Sequence, residues 1–104
     1  MSTEQPTEKE LLKTILEPLL EDFQYWFERS LSLLKSEQMP FFTDREQARV
    51  IERIVLARQE VQTSQMLFKA TSGAAGIDSK MLFDWHQLVA ECWNIAKKWR
   101  ESNK

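Results

Sequence analysis

The chain predicts an all-α fold: an elongated antiparallel three-helix bundle with coiled-coil-like seams, its first helix kinked at Pro18. Three observations carry this. Apolar residues recur at alternating steps of four and three along three long segments, and nowhere do they alternate at period two. Two capping boxes, Thr7-Glu8-Lys9-Glu10 and Thr43-Asp44-Arg45-Glu46, mark helix starts. Only two glycines and three prolines occur in 104 residues, too few for the turns of a sheet protein.

Residues 1–6 are polar, end at Pro6 and read as a disordered tail; residues 7–104 read as a single domain with helices over about 8–36, 44–71 and 80–101. The first helix carries a seam of Leu12, Leu16, Leu19, Phe23, Trp26, Ser30 and Leu33, widened by Leu20, Phe27, Leu31 and Leu34. Pro18 has no N–H for the Thr14 carbonyl and crowds it, which predicts a kink; the seam keeps its phase across the proline, which argues against a break. Pro40 then forces Met39 out of helical geometry. The second seam is Val50, Ile54, Ala57, Val61, Ser64 and Phe68, and it ends at Thr-Ser-Gly-Ala-Ala-Gly with Gly73 as the expected left-handed cap. Asp78 or Ser79 caps the third helix, whose seam is Met81, Trp85, Leu88, Cys92, Ile95 and Trp99, with Leu82, Val89, Trp93 and Ala96 beside it. At 1.5 Å per residue the three helices would span about 43, 42 and 33 Å, and short connections make sequential neighbours antiparallel.

Composition bounds the function. Apolar residues make up 42% and charged residues 29%, the proportions of an ordinary soluble domain. The longest apolar run, Ile54-Val55-Leu56-Ala57, is far short of a membrane span. The acidic N-terminus shows no signal peptide and the single cysteine forms no internal disulfide, so a cytoplasmic setting is expected. A net charge of −2 gives no general attraction to nucleic acid.

Catalytic and metal-binding arrangements are absent from the sequence. His86 and Cys92 stand about 9 Å apart along one helix and about 120° around it, too far for a thiolate–imidazole pair. Cys92 on its seam reads as a small buried hydrophobe. No HExxH, CxxC, glycine-rich phosphate loop or calcium loop occurs, and residues 83–86 read Phe-Asp-Trp-His where a di-iron bundle needs Glu-x-x-His. No catalytic residue, metal or cofactor is expected.

Arg45, Arg49 and Arg53 form a ladder on one face of the second helix. Such a stripe can track phosphates, but the plainer reading is ion pairing. Residues 1–37 hold eight acidic and four basic side chains, and residues 38–72 hold four and five, so an acidic first helix would face a basic second one.

The aromatic content, 11% of the chain, is the least ordinary feature. Most of these residues fall on seams and read as core. Tyr25 and Phe83 fall off them, Leu56 and Leu67 lie opposite the second seam, and Phe41-Phe42 occupies the first connection. Loop phenylalanines of this kind most often plug a bundle end, yet the surplus points to a partner or a self-association face. The strongest candidate surface is on the third helix, where His86, Trp93, Lys97 and Arg100 share one sector at the rim of the seam. Trp93 supplies the area an interface anchor needs, the two cations lie within reach, and His86 adds an imidazole to the same sector. The plainer alternative is that Trp93 finishes the core over the first helix. Tyr25, Phe41, Phe42 and Phe83 are secondary candidates.

The blocks DFQYWFERS (Asp22 to Ser30) and WHQLVAECW (Trp85 to Trp93), with LLKTILEPLLEDF leading into the first, resemble a small cyanobacterial family known only as a domain of unknown function. The resemblance covers about Leu11 to Trp99. It implies a bacterial cytosol in a photosynthetic organism and supplies no activity, ligand or catalytic residue.

The function expected from all this is that of a non-catalytic protein–protein interaction module, an adaptor or assembly factor with a protein partner. The alternatives are a homo-oligomeric structural protein, a homodimer for instance, and a carrier of a flat apolar ligand such as a pigment, held between Trp85, Trp93 and His86. Nucleic-acid binding through the arginine ladder ranks last.

Overall fold

Apolar side chains at helical spacing bury themselves by packing helix on helix, and a computed structural model of the chain shows three of them. It describes residues 8–74 and 76–103, apart from the side chains of 8 and 9. The helices are α1 (Glu8–Ser36), α2 (Asp44–Ala70) and α3 (Ser79–Ser102), and 84% of the described residues are helical. No strand occurs among them. The bundle measures 61 × 26 × 20 Å. The expected tail and the Thr7 capping box lie outside the described residues.

α1 is the central helix, with α2 and α3 both packed against it. Phe23 meets Trp85 edge-on at 5.9 Å between ring centroids, and Trp26 meets Trp93 at 5.6 Å, so α1 and α3 run parallel. Gln24 reaches Gln65, and Gln47 reaches Leu34, which sets α2 antiparallel to α1. This is the up-down-up order expected of short connections.

Packing against two helices shifts the centre of the apolar sector of α1 from the place read in the sequence. Leu20, Phe27, Leu31 and Leu34, read from sequence as the seam's margin, are fully buried. Of the residues read as its centre, Leu16 and Phe23 are buried as expected while Leu19, Trp26, Ser30 and Leu33 are half-buried, the last three on the side toward α3. Leu12 is 55% exposed, a correction to its place in the seam. Phe23 lies against Trp85 and α3 starts only at Ser79, so the first turns of α1 extend past the end of α3. The seams of α2 and α3 hold their phase, with Ile54, Val61, Phe68, Trp85, Leu88 and Cys92 all buried.

Helix α1 runs unbroken through Pro18, which is exposed. The box at Thr43 forms as expected: its hydroxyl accepts from the Glu46 N–H at 3.1 Å and the Glu46 carboxylate accepts from the Thr43 N–H at 2.9 Å. That second bond stabilises the carboxylate and holds the Glu46 pKa below its ordinary value. Asp78 caps α3 by accepting from the Lys80 N–H at 3.0 Å.

At the end of α2, Ser72 takes the first left-handed position (φ 52°), the one expected of Gly73. The Ser72 N–H donates to Lys69 O and the Gly73 N–H to Phe68 O at 2.7 Å, the two bonds of a Schellman motif. Gly73 follows at φ 86° and lies over Lys13 and Phe68, so it occupies the second turn position and not the first.

The arginine ladder is paired differently from the expectation. Arg53 donates through Nη1 and Nη2 to both carboxylate oxygens of Glu91, at 3.2 and 2.7 Å. The partner lies on α3, not on the acidic first helix. It is the single salt bridge among the described residues.

Candidate interaction site

Where small residues lie among large ones on two packed helices, the large side chains hold a space open. Ser30 on α1 and Ala96 on α3 are such small residues, both lining one space between the helices among large side chains. The result is a groove of about 850 Å³. From α1 it is lined by Trp26, Arg29, Ser30 and Leu33, and from α3 by Cys92, Trp93, Ala96, Trp99 and Arg100. Three of the four tryptophans of the chain line it.

An edge-to-face chain of aromatics closes one end. Tyr25 meets Trp26 at 5.0 Å with an interplanar angle of 83°, and Trp26 meets Trp93 at 5.6 Å and 86°. Such pairs contribute about 0.5–1.5 kcal/mol each beyond area burial. One turn along α1, Arg29 donates through Nη1 to the Tyr25 hydroxyl at 2.9 Å. That bond holds the guanidinium beside the groove. Trp93 keeps 46% of its surface exposed, so the chain of rings leaves it half open to solvent.

Cys92 lies buried at the floor. Burial pushes its thiol pKa up, and a hydrogen bond with the Ser30 hydroxyl pulls it part of the way back. A raised thiol is a poor nucleophile at neutral pH.

The expected surface is therefore partly assembled. Trp93 and Arg100 line the groove, and Tyr25 braces it through Trp26 and Arg29. His86 and Lys97 are exposed on α3 but do not line it. Phe83 is 61% exposed and stands apart from the groove. Phe41 and Phe42 stack edge-on at 5.0 Å, are half-buried and pack against the core, as bundle-end plugs do. Lys98 Nζ sits 5.7 Å from the Phe41 ring centroid. The alternative ligand site of Trp85, Trp93 and His86 does not converge: Trp85 is buried against Phe23, and its Nε1 donates to Glu60 Oε1 at 3.4 Å.

Sequence reading missed Trp26, Arg29, Leu33, Ala96 and Trp99 as groove residues. The available signal was Ser30, a polar break in an otherwise apolar seam, with Ala96 beside the matching seam of α3.

Residues 6–101 match the family described as "Protein of unknown function (DUF2605)". The chain belongs to the DUF2605 family. The match spans all three helices, so the groove of this DUF2605 protein lies wholly inside the family region. No curated protein and no solved structure matches the chain. Among the described residues of the DUF2605 bundle, no helix is long and apolar enough to cross a membrane.

Proposed function

We propose that this DUF2605 protein is a non-catalytic protein–protein interaction module, an adaptor or assembly factor, that docks its partner in the groove between α1 and α3. The observation that supports this most is the groove's lining, three tryptophans and two arginines around an apolar floor. These are the side chains in which interface hot spots are richest, and they cluster where a partner can exclude water. We take a cyanobacterial cytosol, which the resemblance in the sequence implies, as the setting and hence as the host in which to look.

The test is paired. The protein and its Trp93→Ala variant are used to capture partners from that host, and both are melted in parallel. Loss of a captured protein by at least about tenfold, with a stability cost below about 1.5 kcal/mol, supports docking at Trp93. A cost of about 3 kcal/mol or more marks the residue as core and removes the surface.

One observation favours a second reading, self-association. Leu11, Leu12 and Ile15 are exposed together where α1 extends past α3, and a second copy would cover them. Light scattering that gives a monomer mass at high concentration rejects this reading.

A further inference from the structure

We infer that the segment received by the groove is a short acidic, amphipathic stretch of the partner, which seats a large apolar side chain among Trp26, Trp93 and Trp99 and sets carboxylates against Arg29 and Arg100. The inference rests on the docking reading above and states what that reading leaves open, the chemistry of the partner.

Charge complementarity carries it. The chain has 16 acidic and 14 basic side chains, yet the groove is lined by two guanidiniums and by no carboxylate. Neither cation is neutralised from within: the single salt bridge among the described residues joins Arg53 to Glu91. Arg29 is held in place by a neutral acceptor, the Tyr25 hydroxyl, and not by a carboxylate. Guanidiniums take carboxylates in two-pronged hydrogen bonds, and an indole beside them covers the apolar part of the same segment.

Shape limits the segment. The lining runs from Trp26 to Leu33 on α1 and from Cys92 to Arg100 on α3, about 10–12 Å at 1.5 Å per residue. That is about two turns of a helix, room for one or two anchor side chains. The floor of Leu33, Ala96 and Cys92 is apolar, and the Ser30 hydroxyl beside it is hydrogen-bonded to Cys92, which suits the floor to an apolar anchor.

Two synthetic amphipathic peptides test this, with the same apolar residues at helical spacing, one flanked by glutamates and the other by lysines. Each is titrated into the full chain and followed by indole N–H shifts in NMR. The glutamate peptide should bind at least about tenfold tighter, and its advantage should shrink as salt rises. Shifts should fall on Trp26, Trp93 and Trp99 and spare Trp85, the core tryptophan. The double variant Arg29→Gln/Arg100→Gln should keep its melting temperature and lose the preference. The inference is overturned if the lysine peptide binds equally well, if the preference survives in the double variant, or if neither peptide binds. Binding of anilinonaphthalene sulfonate alone would assign the groove to a small aromatic anion and overturn it too. Trp93→Ala separates the two levels. If it abolishes capture of the native partner while the peptides show no charge preference, docking stands and the acidic segment falls; if it changes neither capture nor peptide binding, both fall.

Discussion

Gln47 accepts the backbone N–H of Met39 through Oε1 at 2.8 Å, across the connection between α1 and α2. Its Nε2 donates to the carbonyls of Leu34 and Glu37, each at 2.7 Å. One buried amide therefore satisfies carbonyls at the end of α1 that have no helical partner, and fixes Met39 in the core.

Replacing Gln47 by leucine, which has similar volume, should cost about 2–4 kcal/mol in urea unfolding. Three backbone groups would be left without partners in a buried place, each worth about 1–3 kcal/mol at full cost and less where water reaches it. A loss below about 0.5 kcal/mol would show that the connection is held by Met39 packing alone.

The shifted apolar sector of α1 makes a second test. Phe27→Ala should cost about 3–5 kcal/mol and Ile54→Ala about 2–5, since both are fully buried. Leu12→Ala should change stability by no more than about 0.5 kcal/mol, although it shares the helical phase of Leu19 and Phe23. Equal losses at Leu12 and Phe27 would contradict the placement of α3.

The Cys92 thiol gives a pH test. Burial raises its folded pKa above the ordinary value of 9.0, so above that value the unfolded chain loses its thiol proton while the folded one keeps it. The thiol's contribution is fully present below the ordinary value and is lost as pH rises toward the raised one. Stability of the wild type should fall more steeply over that alkaline window than that of Cys92→Ala. Alkylation of Cys92 should likewise be slow in the native protein and fast in urea, and parallel slopes with fast native alkylation would refute its burial.

Pro18 lies on the exposed side of a helix that continues through it. A bend there would relieve most of the proline's helix penalty of about 3 kcal/mol, and on that expectation Pro18→Ala should change stability by about 1 kcal/mol or less. A gain near the full penalty would show that α1 is strained at Pro18 and gains nothing from it.

The three helices, their order and the cap at Thr43 were legible in the sequence, because each depends on residues within a few positions of one another. Periodicity says which face of a helix is apolar, and side-chain oxygen three residues before a carboxylate says where a helix starts. That Trp93 and Arg100 lie on one side of α3 was legible for the same reason, since residues seven apart share a helical face. Ser72 was not, because the glycine beside it suits a left-handed turn better, and only the hydrogen bonds from Ser72 and Gly73 show which residue opens the turn.

The sequence by itself determined that this chain makes three amphipathic helices with more aromatic residues than one narrow seam requires. Tertiary structure alone decided which of those residues are core. With α2 and α3 both packed on α1 and joined to each other through Arg53 and Glu91, Phe27 is sealed and Trp26 is left at a wall. Ser30 and Ala96 line one groove only once α1 and α3 pack together, and that meeting of residues 66 positions apart in sequence is a long-range event no local pattern encodes. The same holds for Arg53, whose charge was written in the sequence and whose partner, Glu91, was set by packing.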